Sequence, residues 1–197
     1  MEKIIKFIPN SITGVRIFMS FIFTYIILGQ PIDGKEKFVT IIAIFLAICL
    51  SDLLDGKIAR KMKSTSTIGA KLDVSADLTY IIFSYTALII LKALPMWFLG
   101  FVCLKFLEFL ITSMFIKRYN KLSNNPFVFD KVGRLVSVIL FVIPGIVCTL
   151  NYLVPYSAGD LIKLLLSVTL IGGIYSSYLR IKSCFEMLSL GASKCIE

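Results

Sequence analysis

Six apolar runs, at about 12–30, 37–57, 68–92, 94–116, 131–153 and 157–182, fill most of the 197 residues and leave only short connections between them. A hydrocarbon layer about 30 Å thick needs roughly 20 helical residues to cross it, and each run is long enough. Turn and charge signals such as Gln30-Pro31-Ile32-Asp33-Gly34 and Asn124-Asn125-Pro126 separate the runs. The pattern predicts an all-α integral membrane protein with six transmembrane helices, forming a single membrane domain over residues 1–197. With 57% hydrophobic and only 17% charged residues, the chain is too apolar for a soluble domain of this length. Ahead of the first run, Glu2 to Ile8 sets Ile4, Ile5 and Ile8 against Lys3 and Lys6, which predicts a short N-terminal helix lying in the interface. This start lacks a small-residue cleavage site and is expected to be retained.

The net charge of +9 is distributed in clusters between the runs rather than along one solvated stripe, so nucleic acid is not an expected partner. If the N-terminus is cytoplasmic, 16 of the 21 Lys and Arg residues fall on the cytoplasmic side, four outside, and Lys105 inside the fourth run. This bias orients a multi-pass protein in the cytoplasmic membrane with both termini inside. Histidine is absent and the five cysteines are scattered singly, which argues against a zinc site or a disulfide framework.

Against this apolar background, four aspartates crowd into 26 residues. Asp52 and Asp55, with Gly56 and Ala59, share one helical face where the second run ends. Gly69, Asp73 and Asp77 share a face at the start of the third, and the short segment from Lys61 to Thr67 turns the chain back, so the two faces are expected to meet at the cytoplasmic boundary. Four converging carboxylates repel one another unless a cation neutralises them. An all-oxygen donor set favours magnesium, manganese or calcium. Arg60 supplies a phosphate ligand, and the small residues leave bare wall for a substrate; together they suggest a nucleotide diphosphate site.

Residues Asp52, Asp55, Gly56, Ala59, Arg60, Gly69, Asp73 and Asp77 reproduce a DxxDGxxARx(8)GxxxDxxxD pattern. In this the chain resembles the CDP-alcohol phosphatidyltransferase family, and the resemblance covers the six-helix layout as well. It implies a phosphatidyl group carried from CDP-diacylglycerol to an alcohol with release of CMP, Mg2+ or Mn2+ as cofactor, and a homodimer. It further implies metal ligation by Asp52, Asp55, Asp73 and Asp77, with Asp77 also the catalytic base, and CDP-lipid contacts from Asn10, Thr13, Gly56, Ala59, Arg60 and Gly69.

The opening Pro9-Asn10-Ser11-Ile12-Thr13-Gly14-Val15-Arg16 is similar to the PNxxTxxR of phosphatidylglycerophosphate synthase-like members. An arginine there suits an acceptor that carries its own phosphate, so glycerol 3-phosphate is the expected acceptor, held by Arg16, Lys117, Arg118, Lys131 and Arg134. Val74 and Leu78 stand where that branch often has proline and lysine, which keeps inositol phosphate, inositol and serine as alternatives. A small divalent-cation transporter is the alternative of a different class, although transport sites tend toward the midplane and these acids sit at helix ends beside Arg60 and Lys61. Lys105 and Glu108, three apart in the fourth run, read as a structural ion pair facing the bundle. Gly172, Gly173, Ser176 and Ser177 in the sixth read as a close-packing surface.

Overall fold

The computed structural model describes residues 2–29, 34–61, 67–119 and 131–193, and side chains within them for 11–29, 34–54, 69, 71–114 and 133–185. The chain forms six helices: α1 (Glu2–Leu28), α2 (Lys35–Lys61), α3 (Thr67–Ile90), α4 (Met96–Tyr119), α5 (Lys131–Leu153) and α6 (Ala158–Ser193). Each contains a stretch long and apolar enough to cross a membrane, from Ser11–Leu28 in the first to Ala158–Phe185 in the last. No strand occurs among the described residues. The expected all-α, six-span architecture is the one observed. The segment Glu2–Ile8, expected as a short interfacial helix, is helical, and its backbone continues without a break into the first span, which begins at Ser11, as part of α1.

The outward faces carry large apolar side chains, among them Phe18, Tyr25, Leu104 and Ile171, all more than half exposed. That inversion of the soluble pattern suits a surface solvated by lipid. The contacts divide the chain into two compact units, Met1–Pro95 with Phe141–Ile162 and Met96–Leu140 with Lys163–Glu197, so that α5 and α6 each contribute to both.

In the first unit α1 packs against both α2 and α3. Its buried face repeats at spacings of three and four, Thr13, Arg16, Ser20, Phe23 and Ile27, which is one stripe of a helix. Facing stripes come from Ile41, Phe45 and Ile48 on α2 and from Ala76, Tyr80, Ser84 and Leu88 on α3. Along α1 the stripe changes character, polar in its first half and apolar in its second. The apolar half is an aromatic layer: the Phe23 ring lies 6.3 Å from Phe45 and 5.8 Å from Tyr80, and Tyr80 lies 4.6 Å from Phe141 of α5. Phe38 of α2 stacks flat on Tyr152 of α5 at 4.0 Å. Gly145 is required here, because a β-carbon on it would run into the Phe45 ring. The Ser20 and Ser84 hydroxyls on these stripes are satisfied within their own helices, Ser20 donating to the Arg16 carbonyl and Ser84 to that of Tyr80. At the end of α3 the chain closes in a left-handed cap: Lys92 has φ 57°, its N–H donates to the Ile89 carbonyl, and the Ala93 N–H donates to that of Leu88.

In the second unit α4 and α6 are joined by a polar cluster. The Lys105 ammonium lies 3.0 Å from the Glu108 carboxylate and donates to the Gly173 carbonyl and the Ser177 hydroxyl, and Ser177 in turn donates to Glu108 at 2.6 Å. The expected Lys105–Glu108 pair therefore forms, with α6 completing it. Gly173 also makes the close approach expected of the small residues in the sixth run: a β-carbon there would meet the Phe101 ring. Farther along α6, Arg180 is buried, donates to Ser113 and stands 4.8 Å over the Phe109 ring.

Candidate metal and substrate site

The polar half of the α1 stripe faces the acidic ends of α2 and α3. Asp52 continues the α2 stripe of Ile41, Phe45 and Ile48 by one more turn, and Asp73 and Asp77 continue that of α3 in the opposite chain direction. All three carboxylates converge on a single atom. Nη1 of Arg16 lies 2.9 Å from Oδ1 of Asp52, 2.9 Å from Oδ1 of Asp73 and 2.7 Å from Oδ1 of Asp77. It donates hydrogen bonds to Asp73 and Asp77 and forms an ion pair with Asp52. The Arg16 side chain is 0% exposed, whereas the aspartates retain 35%, 41% and 34%. The cation is thus on the protein side of the cluster, and the open side presents carboxylate.

One oxygen from each aspartate lies within 4.8 Å of the other two. Such a group of hard oxygen donors fits a divalent magnesium- or manganese-type ion. Three carboxylates against one guanidinium also leave two negative charges without a balancing cation among the described side chains of the cluster.

The structure thus brings together Asp52, Asp73 and Asp77 of the residues expected from the motif, and adds Arg16. Thr13 is buried one turn before Arg16 on the same face, and Gly69 is half-buried in the first turns of α3, four residues before Asp73. The α2 backbone remains helical through Asp55, Gly56, Ala59 and Arg60, but their side chains lie outside the described residues, as do those of Asn10, Lys117, Arg118 and Lys131. Arg134 is exposed on α5. The contact of Arg16 with the aspartates was not anticipated by the motif, which assigns it to an acceptor. The signal for it is nevertheless in the sequence: Thr13, Arg16 and Ser20 at spacings of three and four inside an apolar run mark a polar face turned inward.

A family model described as CDP-alcohol phosphatidyltransferase matches residues 6–175. The chain belongs to that family. Members of the family generally depend on a divalent metal, and the aspartate cluster has the donor set for one. Among curated relatives, the chain is 31% identical over 90 residues to a protein named cardiolipin synthase (CMP-forming) from Streptomyces coelicolor, a match covering 46% of this chain and 42% of that protein. Putative cardiolipin synthases of Mycobacterium bovis and Mycobacterium tuberculosis are 30% identical over 91 residues, covering 46% of this chain and 41% of theirs. The match therefore spans about two fifths of the length of these relatives.

Proposed function

We propose that this chain transfers a phosphatidyl group from CDP-diacylglycerol to a polar alcohol and releases CMP, at a magnesium or manganese centre on the cytoplasmic side of the cell membrane. The observation that carries the reading is the convergence of three aspartates from α2 and α3 within 4.8 Å, in a chain that belongs to this family. Asp52, Asp73 and Asp77 hold the metal, joined by Asp55. When bound, the metal offsets the charge that builds on the pyrophosphate oxygens as CMP leaves. Asn10, Thr13, Gly56, Ala59, Arg60 and Gly69 position the CDP-lipid. Asp77 accepts the proton of the acceptor hydroxyl as its oxygen bonds to the phosphorus of the phosphatidyl group and the bond to the CMP oxygen breaks. No covalent enzyme intermediate is needed. The family match spans residues of both compact units, which supports a single membrane domain over 1–197, and we take that domain to act as a homodimer.

Glycerol 3-phosphate is the proposed acceptor, its phosphate met by Arg134 with Lys117, Arg118 and Lys131, and by Arg16 once it leaves the aspartates. Similarity to proteins named CMP-forming cardiolipin synthase favours a second reading, in which the acceptor alcohol is itself a phospholipid such as phosphatidylglycerol.

The test is CMP release by purified protein in detergent, with CDP-diacylglycerol and Mg2+ or Mn2+, across glycerol 3-phosphate, phosphatidylglycerol, inositol 1-phosphate, inositol, serine and no acceptor. Metal-dependent release with glycerol 3-phosphate is expected. Release with phosphatidylglycerol alone would select the second reading, and no metal-dependent release with any of them would overturn the proposal in favour of a non-enzymatic cation-binding protein.

A further inference from the structure

Arg16 occupies an unusual place for a residue that the sequence pattern assigns to an acceptor phosphate. Its Nη1 is the point that three carboxylate oxygens share, at 2.7–2.9 Å. A metal ion held by the same three carboxylates would draw on the negative charge that this nitrogen draws on, so the two compete for the set. Both are cations, and both offset the mutual repulsion of Asp52, Asp73 and Asp77. We propose that Arg16 is an internal counter-cation that competes with the divalent ion for these aspartates, holding them in the metal-free protein and withdrawing when the ion binds. The inference rests on the metal-dependent reading above. It makes Arg16 a positioning residue: it acts through the aspartates, setting the affinity with which they take the metal. The exchange also reconciles its two roles, because the withdrawn guanidinium becomes available to a substrate phosphate beside the site.

Competition of this kind has a measurable sign. If only about 1–10% of metal-free molecules have Arg16 withdrawn, the apparent metal affinity is reduced by that fraction, and removing the side chain restores it. The experiment is Mn2+ titration of purified full-length protein, followed by the paramagnetic resonance of free Mn2+, in wild type, Arg16→Gln, Arg16→Lys and Asp73→Asn, with thermal unfolding in EDTA alongside. Arg16→Gln is expected to bind Mn2+ about 10- to 100-fold more tightly than wild type and to unfold at lower temperature in EDTA, with a larger rise on adding Mn2+. Arg16→Lys, which keeps the charge on a shorter and differently shaped donor, is expected to lie between the two, and Asp73→Asn to lose most binding. A residue that merely supported the fold would weaken Mn2+ binding on removal. Unchanged or weaker binding in both Arg16 variants, with wild type binding normally, therefore overturns the competition and leaves the metal reading standing. Should Arg16→Gln not fold, Arg16→Lys alone decides, since equal or weaker affinity there has the same meaning. Absence of Mn2+ binding in every form, wild type included, overturns the metal reading and this inference with it.

Discussion

Each compact unit contains a polar cluster set among apolar helices, and among the described residues the two differ in their charge balance. In the second unit, Lys105 meets one carboxylate, that of Glu108, and the remaining partners are a hydroxyl and a carbonyl. Positive and negative charge cancel inside the cluster. In the first unit, three aspartates meet one arginine, an acidic excess among the described side chains of the cluster. Uncancelled charge among membrane helices is costly, and it is retained where something from outside is to supply the balance. A balanced cluster joins helices, whereas the acidic one has the donor set for a cation.

The sharpest way to break this comparison is to neutralise one carboxylate in each cluster. Asp77→Asn should lower CMP release about 10²- to 10⁴-fold, the range for loss of a general base, while leaving the EDTA-state Tm unchanged or raised because repulsion has been relieved. Chelation of wild type should likewise reduce release to background and be reversed by Mg2+ or Mn2+. A sizeable fall in EDTA-state Tm for Asp77→Asn would show that the acidic cluster is structural, like its counterpart.

Glu108→Gln should do the opposite. It leaves the Lys105 ammonium without its anion, at a cost of about 1.5–3 kcal/mol, seen as a Tm lower by several degrees with the KM for CDP-lipid unchanged. Replacing both partners, as Lys105→Met with Glu108→Leu, should recover much of the loss, since an apolar pair leaves no orphan charge. Failure of the double variant to recover would mean that the pair does more than join helices.

Two smaller changes test the apolar frame that holds the aspartates in place. Gly145→Ala forces the Phe45 ring aside and should cost about 1–2 kcal/mol by overpacking. Phe38→Leu removes the stacked contact with Tyr152 and should cost about 0.5–1.5 kcal/mol. Both are read by thermal unfolding in detergent, and neither should change metal affinity by more than about twofold, because the packing they disturb lies away from the carboxylates. A larger change in Mn2+ binding would show that the aromatic layer sets the site geometry.

Much of this was legible in the sequence because membrane helices are written locally. The run at 131–153 coincides with α5, Lys131–Leu153, since hydrophobic length alone fixes a span. At the ends the correspondence loosens: the sixth run closes at 182 while α6 continues to Ser193, because a helix does not have to stop where lipid stops. The aspartates were legible for the same local reason, the spacing of three and four placing Asp73 and Asp77 on one face. The partner of those aspartates was not, because Arg16 reaches them across 57 and 61 residues of chain. A motif confined to α2 and α3 contains nothing that states which neighbour lies against it, and it is the packing of α1 on both helices that decides this.

The pairing of Arg16 with Asp52, Asp73 and Asp77 also bears on how the protein is made. A chain is synthesised from its N-terminus, and α1 precedes the acidic segments of α2 and α3. Arg16 therefore precedes each of its aspartate partners in synthesis, so a counter-charge is made before the acids it meets. Moving α1 to the end of the chain by circular permutation would reverse that order while keeping every contact in the finished protein, and the yield of inserted protein would then report how far biogenesis relies on the cation coming first.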